Sequence, residues 1–137
     1  IFGNRRMIKV VSALFFLAYP VSAQETYNCN EPVTQMEMNA CAWRAYQAAD
    51  GDLNADYKQA IAYLKKADED FIPVGAVPSA IILRDAQRAW ITFRDKNCEV
   101  ETLAYRGGTI VPLIIATCLE SMTRVRSEQL RMIWEEN

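Results

Sequence analysis

The sequence predicts an all-α protein, a small three- to four-helix bundle built from helical hairpins and carrying two disulfides. Three observations predict it. Apolar residues recur every three or four positions over most of the chain, no segment alternates convincingly as a strand, and the four cysteines flank two predicted turns. With 137 residues, 51% of them hydrophobic and 23% charged, the chain has the size and composition of one globular domain. No internal repeat, low-complexity tract or second-domain linker interrupts it.

The first element is a leader. Arg5, Arg6 and Lys9 precede the apolar run Val10 to Tyr19, and Val21-Ser22-Ala23 supplies the small residues that a signal peptidase requires. The run is about ten residues, half the ~20 that a membrane-crossing helix needs, so a retained anchor is the weaker reading. Residues 1–23 are therefore expected to be a signal peptide cleaved after Ala23, with Met7 as a candidate start, and residues 24–137 to form a single helical domain. The first cysteine after that point is Cys29, so a lipid anchor is not expected.

Thr34-Gln35-Met36-Glu37 is a capping box, with Val33 and Met38 placed for a hydrophobic staple. From Met38 the residues Ala42, Tyr46, Ala49, Leu53, Tyr57, Ile61 and Leu64 form one stripe of a helix reaching about Asp68, with Gly51 as its weak point. Phe71 to Pro78 holds two prolines and a glycine, so the helix must stop, and its apolar composition predicts a loop packed on the core. Ser79 is the expected cap of a second helix in which Leu83, Ala86, Trp90 and Phe93 share the inward face. Gly107-Gly108 ends that stretch. Thr109 is the expected cap of a third helix, with Pro112 in its first turn and Ile114, Cys118, Met122, Val125, Ile133 and Trp134 facing inward.

Cysteine positions agree with these turns. Residue 108 is the midpoint of Cys98 and Cys118, so a hairpin turning at Gly107-Gly108 brings the two sulfurs to similar heights. Residue 35 is the midpoint of Cys29 and Cys41, and an arm folding back from Thr34 spans the ~10 Å that seven helical residues rise. Four cysteines allow three pairings, of which the local one follows from both turns. A four-cysteine zinc site is the rival, but the close CxxC pairs such sites use are missing.

Composition excludes much chemistry. The chain has no histidine, which removes Ser-His and Cys-His nucleophile pairs and imidazole metal sites, and its five glycines form no phosphate cradle. No cofactor is expected. Without residues 1–23 the chain carries 12 Lys+Arg against 17 Asp+Glu, a net charge of about -5. Such a surface repels nucleic acid and attracts a basic protein, and after signal cleavage no membrane partner is expected.

Several polar residues lie beside the core stripes. Arg94 and Asp95 on the second helix, with Asp50, Asn54 and Tyr57 on the first, form a predicted polar network, either packing-directed or part of a ligand site. Asp50, Asp52 and Asp56 could be imagined as paired carboxylates for glycoside hydrolysis, but three acids near one turn read better as a solvated face. Trp90 and Trp134 fall on core stripes, whereas Trp43 packs under the apolar loop or stands exposed as a contact. The turn Tyr105-Arg106-Gly107-Gly108-Thr109 joins an aromatic, a cation and open backbone N–H groups, which makes it the candidate partner-binding site.

These elements, in this order, resemble the LprI N-terminal family of lysozyme inhibitors, exported bacterial proteins. The resemblance rests on Thr34-Gln35-x-Glu37-x-Asn39-x-Cys41, Asp50-x-x-Leu53-Asn54-x-x-Tyr57, Ala86-Gln87-Arg88-Ala89-Trp90-x-x-Phe93-Arg94-Asp95-x-x-Cys98, Gly107-Gly108-Thr109, Cys118 and Arg126-x-x-x-Leu130. The string around Gln87 and Trp90 is the most specific. The resemblance implies a helical, disulfide-bonded periplasmic or secreted domain that is not an enzyme and that inhibits a lysozyme-type muramidase. A helical interaction or envelope-stress module with no lysozyme target is the alternative, and a metal-free hydrolase using the aspartates stands last.

Overall fold

A computed structural model describes residues 27–135, so the signal-peptide reading of residues 1–23 lies outside the described residues. Helix α1 spans Gln35–Asp70, α2 Ser79–Glu101 and α3 Val111–Glu135, with a 3₁₀ turn at Leu103–Tyr105 between α2 and α3. There is no strand among the described residues.

The predicted capping box starts α1. Thr34 Oγ1 accepts from the Glu37 N–H at 3.2 Å, and the Glu37 carboxylate accepts from the N–H groups of Thr34 and Val33, both at 2.9 Å. Those backbone donors at Thr34 and Val33 hold the Glu37 carboxyl below its ordinary pKa. The helix runs through Gly51 without a break, for 36 residues or about 54 Å.

Chain direction follows from the contacts. Asn39 on α1 meets Thr109 just before α3, and Asp56 meets Ser127, so α1 and α3 run parallel and share the widest interface. Arg94 meets Thr123, Gln87 meets Arg126 and Ser79 meets Asp68, so α2 runs antiparallel to both. Leu53, Ala60, Leu83 and Leu130 form one buried cluster, with Trp90, Trp134 and Tyr57 packed against it. Around the Cys98–Cys118 bridge, Leu119, Tyr46 and Met122 form the other.

Several expectations need correction. Every residue from Phe71 to Pro78 is exposed, Val74 completely, so the apolar loop does not pack on the core. Its ends are tied: the Phe71 N–H reaches the Ala67 carbonyl at 3.0 Å, and Asp68 accepts from Ser79 Oγ at 2.8 Å and from the Ala80 N–H at 3.4 Å. The α2 cap position is Pro78, and Asp68 supplies from outside the helix the acceptor expected of Ser79.

On α2 the inward row is Ala80, Leu83, Gln87, Arg94 and Cys98, with Trp90 beside it, while Ala86 and Phe93 face solvent. On α3, Val125 is exposed and Leu119, Thr123, Ser127 and Leu130 point inward. Thr109 stands two residues before α3, and it is the Ile110 carbonyl that accepts the Ile114 N–H at 3.2 Å.

Candidate functional site

Both local disulfides are present. Cys29 pairs with Cys41 at a Cα–Cα distance of 5.4 Å and Cys98 with Cys118 at 5.6 Å, and neither bridge leaves a free cysteine among the described residues. The first ties the arm before the capping box onto α1. The second joins α2 to α3 ten residues to either side of Gly108.

Arg94 is the hub of the polar network. Its Nε donates to Asp95 at 2.9 Å, its Nη1 to Thr123 Oγ1 at 3.2 Å and to Asp50 at 3.5 Å, and its guanidinium lies 5.5 Å from the Tyr46 ring centre and 5.1 Å from that of Trp90. Burial of a charge is tolerable when it is paired this fully. Burial also pushes the Tyr46 phenol above its ordinary pKa of 10.0; Arg94 opposes that shift, while Asp50 and Asp95 reinforce it.

Asn54 joins the network through Asp50, donating to its side chain at 3.1 Å and its backbone carbonyl at 2.8 Å. Tyr57 does not complete a polar ring around Arg94. It packs against the Leu53 cluster instead, at the wall of an open α1–α2 groove of about 460 Å³ whose lining includes Asp50, Asn54, Gln87 and Arg88.

Gln87 is buried because it serves α3: its Oε1 accepts from Arg126 Nε at 2.9 Å. Arg126 also lies 5.9 Å from the Trp90 ring centre, and its partial burial lowers its pKa. Trp90 thus sits between two cations and the core. Asp56 is not on a solvated face: it is buried, accepts from Ser127 Oγ and pairs with Arg131 Nη2 at 3.0 Å. With Asp56 tied to α3 and Asp50 tied to Arg94 and Asn54, these acids are occupied by packing.

The hairpin tip is exposed and fixed by its backbone. The Tyr105 N–H bonds to the Thr102 carbonyl and the Gly108 N–H to the Tyr105 carbonyl, both at 2.9 Å. Gly107 takes φ +80°, and a side chain on Gly108 would bring its Cβ to 3.1 Å from the Tyr105 carbonyl oxygen. Asn39 Nδ2 on α1 donates to the Thr109 carbonyl at 3.0 Å and so anchors the tip to the long helix. Tyr105 is half exposed, Arg106 and Thr109 are exposed, and Arg106 makes no ion pair or side-chain hydrogen bond among the described residues. Trp43, on the neighbouring part of α1, is half exposed with its ring 5.2 Å from that of Tyr46, far from the 71–78 loop.

The sequence reading missed Thr123, Ser127 and Arg131. A signal existed: Leu119-Thr123-Ser127 recur at four-residue spacing and Leu130 continues that row, which marks small hydroxyl side chains as inward-facing. Among the described residues there is no cluster of metal-ligating side chains and no helix long and apolar enough to cross a membrane.

This chain is similar to one described family and to several known proteins. Residues 28–130 match the family described as lysozyme inhibitor LprI. The uncharacterized protein R02472 of Rhizobium meliloti (strain 1021) is 34% identical over 134 residues, covering 96% of each chain. The uncharacterized protein YecT of Escherichia coli (strain K12) is 30% identical over 63 residues, 46% of this chain and 39% of that one. A crystal structure of a DUF1311 family protein from Pseudomonas putida KT2440 superposes with a TM-score of 0.64 at 26% identity, covering 76% of this chain and 97% of the other. With three-quarters of its length matched and its helices and disulfides arranged as described, the chain belongs to the LprI lysozyme inhibitor family.

Proposed function

We propose that this is an exported, periplasmic or secreted, non-catalytic protein that binds a lysozyme-type muramidase and blocks its cleft with the Tyr105–Thr109 turn. The observation that carries the reading is the family match over residues 28–130. Three features support it. A net charge of about -5 without residues 1–23 favours encounter with a basic enzyme. The turn is rigid before binding, so little conformational entropy is lost on docking. Arg106 and Tyr105 form a cationic, aromatic point, and glycoside hydrolases place a pair of carboxylates in the cleft where such a cation is attracted.

Lysis of bacterial cell walls by basic and acidic muramidases, with and without the disulfide-intact protein at micromolar concentration and low salt, tests the proposal. Slower lysis by at least one enzyme is the expected result. Undiminished lysis in every case would favour the helical interaction or envelope-stress module instead.

A further inference from the structure

The α1–α2 groove holds hydrogen-bonding capacity that folding does not use. Gln87 is only 6% exposed and its Oε1 is taken by Arg126, yet its Nε2 has no partner among the described residues. Trp134 Nε1 is the one fully enclosed side-chain N or O atom left without a partner there, so the free Gln87 Nε2 opens onto the groove that Gln87 lines. A buried amide with its donors left over calls for an explanation. In the same lining, the Tyr57 hydroxyl and the Arg88 guanidinium make no hydrogen bond or ion pair among the described residues, and Asn54, which donates to Asp50, keeps its Oδ1 free. Leu53 and Ile91 complete the lining with apolar surface.

We propose that this groove binds a sugar acid, with the carboxylate on Arg88 and the Gln87 amide and the ring beside Leu53 and Ile91. Charge selects the carboxylate. Asp50 is paired with Arg94 at 3.5 Å and Arg84 with Asp85 at 2.8 Å, so Arg88 is the one charged group of the lining without a counter-ion in contact. A single uncompensated guanidinium, planar and forked, matches the two oxygens of a monoanionic carboxylate, whereas a phosphate dianion brings a second charge that the lining does not neutralise. The neutral groups select the ring. Tyr57 and Asn54 Oδ1 take hydroxyl or amide N–H groups, and the apolar residues take the C–H face; a purely aliphatic acid leaves both polar groups unused. The volume of about 460 Å³ falls in the range of small-ligand sites. Arg88 lies 13 residues, about 20 Å of helix, before the end of α2 at Glu101, so a ligand here leaves the Tyr105–Thr109 turn open. Binding in the groove therefore neither requires nor prevents inhibition at the turn.

Titration of the isotope-labelled, disulfide-intact protein with N-acetylmuramic acid, followed by NMR, tests the proposal. Two controls divide the ligand: N-acetylglucosamine has the ring without the carboxylate, and hexanoate has a carboxylate without the ring. The expected result is saturable shifts of the Gln87 side-chain amide and of backbone amides in 50–57 and 84–91, with both controls weaker by roughly tenfold or more. Arg88→Gln, at an exposed position whose side chain makes no folding contact, should melt as the wild type does and bind N-acetylmuramic acid about tenfold more weakly. Absence of saturable shifts, equal binding of either control or of inorganic phosphate, or a titration unaffected by Arg88→Gln overturns the proposal.

Discussion

Arg94 reaches from α2 to the hydroxyl of Thr123 on α3 at 3.2 Å, and both residues are shut off from solvent. The carboxylates that neutralise Arg94 are not: the side chain of Asp50 is 39% exposed and that of Asp95 50%. A network with a buried cation and wet anions responds asymmetrically to mutation.

Arg94→Ala leaves two acids that water can solvate, together with one unsatisfied hydroxyl and lost packing against two rings. Its cost should be roughly 2 to 4 kcal/mol. Removing both carboxylates leaves a buried charge with only a hydroxyl and two π faces, the more damaging situation. Urea unfolding should therefore place Asp50→Ala/Asp95→Ala below Arg94→Ala in stability. The reverse order would mean that Arg94 acts mainly through packing.

The two disulfides should differ in worth. Their sequence separations, 12 and 20, predict nearly equal loop-closure terms. Burial separates them, because Cys98 is wholly buried in the Leu119 cluster, whereas the Cys29 arm is exposed. Cys98→Ser should lower stability by roughly 2 to 5 kcal/mol, and Cys29→Ser by less, as thermal melts of the two variants would show.

Tyr46 gives a pH signature. Its folded-state pKa is raised above 10.0, mainly by burial, so the native state holds the phenolic proton more tightly than the unfolded chain does. That contribution is complete below pH 10 and is lost as pH rises through the folded value. In a spectrophotometric alkaline titration one tyrosine should ionise later than the exposed ones, and Tyr46→Phe should remove that late step. A variant titration identical to the wild type would place the late phenol elsewhere.

The helices were legible in the sequence because capping and three-to-four periodicity are local. The Thr34–Glu37 box starts α1 where the residues say it should, and the cysteine midpoints give both bridges. Faces were harder to read. On α2 the buried row contains Gln87 and Arg94 while Phe93 and Ala86 face outward, so ranking residues by hydrophobicity places Leu83 and Trp90 correctly but turns the face by about a fifth of a turn. Asp56 failed for a related reason. An acid near two other acids looks solvated until its partners, Ser127 and Arg131, are known, and they lie 71 and 75 residues away. The loop from Phe71 to Pro78 reads as core by composition, yet it stands exposed, tied at its two ends and turned by the Ala76 N–H on the Pro73 carbonyl.

The hairpin tip separates recognition from folding. Tyr105 and Arg106 are exposed, and the turn is shaped by backbone hydrogen bonds and by Gly107 and Gly108, none of which depends on those two side chains. Tyr105→Ala/Arg106→Ala should therefore leave the helical circular-dichroism signal and the melting temperature unchanged while abolishing muramidase inhibition. Salt adds an independent readout. If an acidic protein is steered to a basic enzyme, association should slow as the screening length falls to about 10 Å at 0.1 M, in wild type and tip variant alike, since the tip contributes little to net charge. The dissociation rate should respond instead to the tip, because a desolvated aromatic and cation in the cleft are lost only by leaving it. Inhibition that survives the double substitution would place the contact on another part of the bundle.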